Sequence, residues 1–179
     1  MAATQKPSDE ADARQLKMAS AEGKAYAKSL DYMATKVADN GAEKWAGDYI
    51  VGIAQERAEG MYHMMGGKLM WHEAGDTNCH LEVSVRDAAD ERFIPYLTIH
   101  ATLTPKSGEA MPPVTVPFIW HPGLYHYGIN LRLPGDGSYT IAVEIDPPEF
   151  VRHDKANGKR YAKPVTVTFR NFEIKTGKE

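Results

Sequence analysis

The length and composition of the chain are those of a globular protein with a single main core. Its 179 residues, 42% hydrophobic and 25% charged, are enough for one domain plus some additional structure. A net charge of -3 without a long basic run argues against a nucleic-acid partner. No apolar stretch approaches the length of a membrane span, and the single cysteine, Cys79, excludes an intramolecular disulfide and any cysteine-rich metal site.

The first residues do not have the pattern of a secretory signal peptide. Residues 2–7 are mostly polar or small and contain no apolar central region. Such a start fits a cytoplasmic N-terminus, and it fits equally well a mature exported chain to which an initiator methionine has been added. Composition does not distinguish the two.

An N-terminal segment, residues 1–46, is predicted to be helical. The stretch from Lys6 to Gly41 is rich in Ala, Lys, Glu and Asp, and Asn40-Gly41 is typical of a helix end. An apolar stripe recurs there at helical spacing, formed by Tyr26, Leu30, Met33 and Val37. We expect an accessory helix that packs on the main domain or on a neighbouring subunit.

From residue 47 onward the pattern changes to period-two alternation, which predicts strands. The predicted strands cover residues 49–55, 69–71, 80–85, 96–103, 114–119, 125–133, 139–145 and 165–174. In the last strand the alternation of apolar and polar residues shifts by one position between Phe169 and Phe172, which indicates a β-bulge. Short strands without intervening helices predict an all-β, immunoglobulin-like antiparallel sandwich over residues 47–179, with a closed barrel as the alternative.

Two of these strands carry side chains that bind metals readily. His80 and Glu82 are two residues apart, so on a strand they project to the same side, opposite Leu81. His126 follows the same rule on a later strand. Two imidazoles and a carboxylate suit zinc, copper, iron or manganese. The alternative is a solvated polar face of an antiparallel sheet.

Further histidines lie in the predicted turns and loops. His121 is in a turn five residues before His126, where it either supplies a metal donor or bonds a loop carbonyl. His153 is in a polar loop, where histidines are more often exposed than bound. His72 and His100 have the pattern of structural or incidental residues.

A short cluster of methionines with one histidine lies between the first two predicted strands. It is typical of copper-handling segments and consists of Met61, His63, Met64 and Met65. Methionines beside Gly66-Gly67 also serve as ordinary hydrophobic residues that close a loop. Both interpretations stay open from the sequence.

Two other classes of function compete with metal binding alone. A metalloenzyme would leave one coordination position open to activate water or oxygen, although no second acid–base pair accompanies the candidate ligands. A sugar- or protein-binding module would use exposed aromatic side chains, here Trp71, Trp120 and Tyr125. Phosphate-binding loops, nucleophile elbows and the HExxH motif are absent from the sequence.

Three motifs occur in an order that resembles a known family. They are His80-Leu81-Glu82-Val83, Ile94-Pro95-Tyr96-Leu97-Thr98-Ile99 and His126-Tyr127-Gly128-Ile129-Asn130-Leu131, followed by a segment from Arg152 to Gly158. Together they resemble the periplasmic iron-transport accessory family, whose copper- and iron-binding members are encoded beside a high-affinity iron permease. The resemblance covers about residues 47–176. It implies an immunoglobulin-like sandwich, a homodimer with metal sites near the dimer interface, and an inner-membrane iron permease as partner.

The resemblance also implies a ligand set. His80, Glu82 and His126 match metal ligands of the family, and His153 matches a histidine that reaches the site, in some members from the other subunit. A copper-binding methionine of the family falls at Phe118, so its thioether is missing here.

A replacement for this methionine would come from His121 or from Met61, which follows Gly60 as a Gly-Met pair does in the family. Tyr96, Tyr127 and Asp154 are candidates for holding the imidazoles by hydrogen bonds. We therefore expect a non-enzymatic periplasmic protein that binds copper or iron, with zinc or manganese also possible, in support of iron uptake.

Overall fold

A computed structural model describes residues 4–179 as a β-sandwich with one long helix laid against it. Helix α1 spans Ala13–Tyr32 and continues as a π-helical turn, Met33–Val37. The strands are β1 Asn40–Ala46, β2 Tyr49–Glu56, β3 Met61–Met65, β4 Lys68–His72, β5 Cys79–Asp87, β6 Ile99–Pro105, β7 Val114–Thr115, β8 Phe118–Trp120, β9 Tyr125–Leu131, β10 Gly137–Ile145 and β11 Val165–Ile174. Neither helical segment in this range has the length and hydropathy that a bilayer span requires.

The strands form two antiparallel sheets that face each other across one core. The first has the order β1-β2-β5-β9-β8, the second the order β11-β10-β6-β7, and β3 and β4 form a separate hairpin. Apolar side chains of both inner faces interdigitate, among them Leu81, Val83, Ile99, Ile141 and Phe169, all buried. The predicted antiparallel sandwich with an N-terminal helix is confirmed, as is the bulge, since the β10–β11 register shifts opposite Phe169 and Phe172.

The prediction of a helical segment over residues 1–46 is wrong at both ends, since residues 4–12 precede the helix and residues 40–46 form a strand. Residues 1–3 lie outside the described residues, and the helical structure ends at Val37. Residues 40–46 form β1, which pairs with β2 along its whole length through a tight turn at Gly47, where φ is +62°. Gly-Asp is a typical two-residue hairpin turn. The division of the chain into two domains stays a prediction.

Two predicted strands also change in the structure. The strand expected to start at Tyr96 starts at Ile99, and the strand expected over residues 114–119 splits into β7 and β8 in different sheets. Pro117 lies at this crossing, where its missing N–H cannot serve a continuous ladder. Strand β3 has no period-two alternation of apolar and polar residues, which is why the pattern did not predict it.

Helix α1 covers the outer face of the first sheet. It starts with a capping box, in which Asp12 and Gln15 each accept the other's backbone N–H. The ideal Cβ position at Gly23 lies 1.9 Å from the carbonyl oxygen of Asp90, so only glycine allows this close approach. The Tyr26 hydroxyl donates to the Tyr125 carbonyl. As a result all nine residues of β5 are buried, on both faces of the strand.

We expect Gly23→Ala to loosen α1 from the sheet. Alanine is the better helix former by about 1 kcal/mol, but its methyl would collide with the backbone at Asp90, and overpacking of this kind typically costs about 1–3 kcal/mol. Urea unfolding and hydrogen exchange of residues 13–37 measure the effect. Lys24→Ala, at the exposed neighbouring position, is the matched control. Equal exchange of the helix in both variants would contradict the packing role of Gly23.

Candidate metal centre

The pairing of β5 with β9 brings three potential ligands together. His80 lies opposite Asn130 and Glu82 opposite Gly128, with His126 two residues earlier on the same face of β9. One ligand atom from each of His80, Glu82 and His126 lies within 4.8 Å of the others. His126 Nε2 is 3.3 Å from Glu82 Oε1, and the two imidazole centroids are 6.3 Å apart.

The cluster is buried, not solvated. His80, Glu82 and His126 are only 0%, 8% and 3% exposed, because α1 and the π-helical turn cover this face of the sheet. Between helix and sheet remains a cavity of about 410 Å³, lined by Glu82 and His126 from the sheet and by Leu30 and Ala34 from the helical segment, among others. The interpretation of these residues as a solvated polar face is therefore excluded.

Gly128 makes room for the His80 ring. A Cβ at this position would lie 2.9 Å from His80 Nε2 and 2.9 Å from Ile119 Cδ1. Ile119 pairs with His126 across β8 and β9, and therefore shares the face of the cluster. Strand β9 thus contributes a candidate ligand, His126, and two residues later a glycine that leaves room for the His80 ring.

Burial controls the charges of the three groups. It raises the pKa of Glu82 to about 8, and the nearby carboxylates of Glu56 and Glu59 add to the rise. It lowers the pKa of His126 to about 4, with smaller contributions from His80 and His121, and it lowers the pKa of His80. At neutral pH both imidazoles are therefore uncharged, with free lone pairs, while the Glu82 carboxyl group is mostly protonated.

Three of the four ring nitrogens in the cluster lack a hydrogen-bond partner. Among the described residues, His80 Nε2 and both nitrogens of His126 are buried without a hydrogen bond. Buried polar atoms are nearly always bonded, and leaving one unpaired costs about 1–3 kcal/mol. Two orphaned imidazoles beside a buried carboxyl group fit the donor set of a transition-metal ion.

Asn130 sets the tautomer of His80. Its amide is oriented by Nδ2, which donates to the Glu59 carbonyl at 2.7 Å. The Asn130 Oδ1 then accepts from His80 Nδ1 at 3.0 Å. The proton of neutral His80 is thus on Nδ1, and the lone pair of Nε2 faces the cluster.

Sequence reasoning missed both Asn130 and Glu59. The Glu59 carboxylate lies 3.7 Å from His80 Nε2 and adds a fourth potential donor, the second that offers oxygen. The sequence signal for Asn130 was its position on the same strand face as His126, four residues later. Only the register of β9 against β5 reveals that it meets His80.

The residues expected to hold the imidazoles have other partners. The Tyr127 hydroxyl donates to the Ile94 carbonyl and accepts from Leu97 N–H, which fixes a loop. Asp154 accepts from Ser8 and Asn157 at the surface, and Tyr96 is exposed.

Three of the six predicted ligand residues lie outside the cluster. The His121 ring is 6.1 Å from the His126 ring, but its Nδ1 accepts the Gly123 N–H at 3.0 Å, so neutral His121 carries its proton on Nε2. His153 is 86% exposed in its side chain and lies 3.0 Å from the Glu10 carboxylate. Met61 begins β3, opposite His72 in the hairpin.

Phe118 also differs from its expected place. It pairs with Tyr127 and stacks on Tyr125, on the strand face opposite His126. The side chain beside the cluster is that of Ile119, one residue later. The aliphatic side chain of Ile119 therefore lies at the edge of the cluster, where the family resemblance implies a thioether.

The three aromatic residues of the alternative binding module belong to two different sheets. Trp120 and Tyr125 lie opposite each other in β8 and β9. Trp71 instead packs edge-on against Tyr62 in the β3–β4 hairpin, with ring centroids 5.0 Å apart.

Comparisons with known proteins agree with this architecture. The model of the Fe2+ transport protein family matches residues 58–175. A UPF0423 protein of Brucella abortus is 31% identical over 126 residues, which are 62% of this chain and 69% of that protein. The copper-reconstituted P19 protein from Campylobacter jejuni superposes with a TM-score of 0.65 at 20% identity, over 77% of this chain and 96% of that chain. FetP from uropathogenic Escherichia coli strain F11 gives a TM-score of 0.63 at 25% identity, over 75% and 93%.

We expect Asn130→Ala to weaken metal binding roughly 10–100-fold, because the His80 tautomer is no longer fixed. Asn130→Asp keeps an acceptor oxygen opposite Nδ1–H and should lose less. Chelator competition measures the affinity, and the imidazole ¹⁵N shifts of the metal-free protein report the tautomer. Asn78→Ala, which removes bonds to the Leu133 backbone only, is the control. A His80 tautomer that is unchanged in Asn130→Ala would contradict this role.

The raised pKa of Glu82 also predicts a pH dependence of stability. The folded protein keeps the Glu82 proton up to a pKa of about 8, against an ordinary value of 4.5, so folding becomes less favourable as the pH rises between these values. Without metal, the free energy of unfolding of the wild type should fall relative to Glu82→Gln by on the order of 3 kcal/mol from pH 5 to pH 8. Urea titrations of chelator-treated protein measure it.

The control for this experiment is Glu144→Gln, since Glu144 is exposed on β10. Its stability should follow that of the wild type across the same range of pH. A constant difference between wild type and Glu82→Gln from pH 5 to pH 8 would show that Glu82 is not buried as described.

Proposed function

Because the chain belongs to the Fe2+ transport protein family, we propose that it binds a transition metal as cargo and supports high-affinity iron uptake in the periplasm. The observation that carries this proposal is the buried cluster of His80, Glu82 and His126, whose ligand atoms lie within 4.8 Å of one another. A cluster with orphaned nitrogens would be unfavourable in a purely structural role.

The proposed ligands are His80 Nε2, His126 Nε2 and the Glu82 carboxylate, with Glu59 beside them. Two nitrogens and one or two oxygens suit Fe(II), Cu(II), Zn(II) or Mn(II), and they lack the thioether that favours Cu(I). Copper-bound structures of P19 and FetP variants support copper as cargo, and the family description supports iron. We propose copper, iron or both as the natural cargo.

Binding and release, without bond chemistry, is the proposed mechanism. The buried imidazoles are neutral and their lone pairs are available before the ion arrives. The Glu82 carboxyl group gives up its proton as the cation enters, which balances the charge of the ion inside the cavity. Acidification returns protons to the three groups and favours release. The cover formed by α1 limits access of bulk water to the bound ion.

We further propose a homodimer and an inner-membrane iron permease as partners. The family resemblance brings His153 to the metal site from a second subunit in some members, and the exposed ring of His153 is available for such a contact. His121 and His153 are then secondary donors, which add to the buried cluster only if its surroundings rearrange or a second copy docks.

We expect the chelator-treated wild type to bind one Cu(II) or Zn(II) per chain at the cluster. Loss of a supporting hydrogen bond alone costs roughly 10–100-fold in affinity. The double variant His80→Ala/His126→Ala lacks two ligands and should lose more affinity than this. Isothermal titration calorimetry and elemental analysis measure this. His100→Ala, whose ring lies beside Thr115 on the other sheet, should bind as the wild type does. Unchanged affinity and stoichiometry in the double variant would refute the site.

The same preparations test the dimer. Sedimentation velocity of the wild type should give a dimer mass, and His153→Ala should bind metal more weakly at equal dimer content. A monomer with full affinity would refute the part of the proposal that concerns His153. Fractionation of cells that express the natural protein checks the periplasmic location.

A further inference from the structure

The β3–β4 hairpin lies outside both sheets of the sandwich. Its strands are joined by Gly66 and Gly67, with φ of +55° and +78°, the left-handed conformation that a two-residue type I′ turn requires. Met65 and Lys68 flank the turn, and the pairing continues to Met61 and His72. The hairpin is therefore fully formed although it does not contribute to the core.

One face of this hairpin is lined by sulfur and imidazole donors. Directly opposite residues of an antiparallel pair project to the same side, and so do residues two apart along a strand. Met61 lies opposite His72, and His63 lies opposite Met70. These four residues therefore share one face, which we call the Met/His face. The pair Met65–Lys68 beside the turn lies on the same face. The other face has the pairs Tyr62–Trp71 and Met64–Leu69.

The two histidines of the Met/His face are already in contact. Their ring centroids are 5.2 Å apart and the rings are perpendicular, at 88°. Two imidazoles that bind one tetrahedral ion at about 2.0 Å hold their centroids roughly 5 Å apart. The diagonal contact of His63 with His72 thus has the spacing that a shared ion requires.

Packing does not account for these methionines. Met64, Met65 and Met70 are 69%, 50% and 48% exposed. A methionine that closes a loop would bury its side chain, so the loop-closing interpretation does not apply here. Apolar side chains that are exposed on both faces of a hairpin indicate a binding site for a ligand or a partner.

The donor chemistry selects the class of ion. The Met/His face offers two imidazoles and the thioethers of Met61, Met65 and Met70, and the hairpin contains no carboxylate between Met61 and His72. Thioethers are soft ligands that favour Cu(I), whereas Fe(II), Mn(II) and Zn(II) favour oxygen and nitrogen. The cluster of His80, Glu82 and His126 has the opposite bias, since it contains carboxylate and lacks sulfur.

From this geometry we propose that the Met/His face is a second metal site, which binds Cu(I) through Met61, His63, Met70 and His72. The ion joins β3 to β4 and stabilises a hairpin that is otherwise supported mainly by the Tyr62–Trp71 contact. The site goes beyond the proposed function, because it is separate from the cluster in the sandwich and differs from it in preferred ion.

The hairpin is attached beside the first site. Met61 follows Glu59 by two residues, a length of chain that spans at most about 7 Å. The Glu59 carboxylate lies 3.7 Å from His80 Nε2, and its carbonyl oxygen accepts from the Asn130 amide. The base of the hairpin is therefore connected to the surroundings of the buried cluster through Glu59.

The test uses Ag(I), which has the ligand preference of Cu(I) without its redox chemistry, and full-length protein labelled with ¹³C in the methionine methyl groups. On addition of Ag(I) to the wild type, the methyl signals of Met61 and Met70 should shift. Those of Met64, on the opposite face, and Met18, exposed on α1, should not. Shifts of similar size at all exposed methionines would overturn the proposal, since they indicate unspecific binding.

Three variants complete the test. Met70→Leu/His72→Gln should weaken Ag(I) binding at least tenfold, and the affinity for Cu(I), measured by competition with a chromophoric chelator under anaerobic conditions, should fall likewise. Met64→Leu, the matched loss of an exposed methionine on the opposite face, should leave both affinities unchanged. An equal loss in Met64→Leu would overturn the site.

The third variant separates the two metal sites. His80→Ala/His126→Ala should keep the Ag(I)-induced shifts of Met61 and Met70, and Met70→Leu/His72→Gln should keep the binding of Cu(II) or Zn(II) in the sandwich. Disappearance of the shifts in His80→Ala/His126→Ala would overturn the hairpin site. Loss of Cu(II) or Zn(II) binding in that variant alone concerns only the proposed function.

Discussion

Strand β5 is buried on both of its faces, and the chemistry of the candidate metal centre depends on this constraint. Its inner face packs in the sandwich core, while its outer face lies under α1. Without the helix, His80 and Glu82 would be solvated, with pKa values in the ordinary range and hydrogen bonds to water. Under the helix the same groups are desolvated, which keeps the imidazoles neutral and the carboxyl group protonated. The protein thus presents uncharged ligand groups, and the carboxyl group among them becomes charged when an entering cation displaces its proton.

The two metal sites that we propose differ in the way their surroundings set the ligands. In the sandwich the ligands are positioned by the sheet register, by the space at Gly128 and by the Asn130 amide that orients His80. On the hairpin the donors are set by the cross-strand pairing and lie on a face that is mostly exposed. A rigid, buried site with oxygen suits selective holding of a divalent ion, whereas an exposed, soft site suits capture of a monovalent one.

Much of the sandwich could be predicted because period-two alternation reports a face of a strand directly. It located most strands, the bulge near Phe169 and the shared face of His80 and Glu82. The same rule failed for β1 and β3. Residues 40–46 are mostly half-exposed at a sheet edge, and β3 has both faces exposed, so neither has a buried face to impose alternation. The division of residues 114–119 at Pro117 could not be predicted, because it depends on which sheet each half joins.

The sequence by itself determined which residues are able to bind a metal, because the identity and strand parity of His80, Glu82 and His126 are local properties. It also identified Met61, His63, Met64 and Met65 as candidate copper ligands, but not Met70 or His72. Only the tertiary structure decided which of them meet. The β5–β9 register placed Asn130 on His80, the β3–β4 register placed His72 beside His63, and α1 removed the cluster from water. Register and burial depend on contacts between distant residues, and no local pattern contains them.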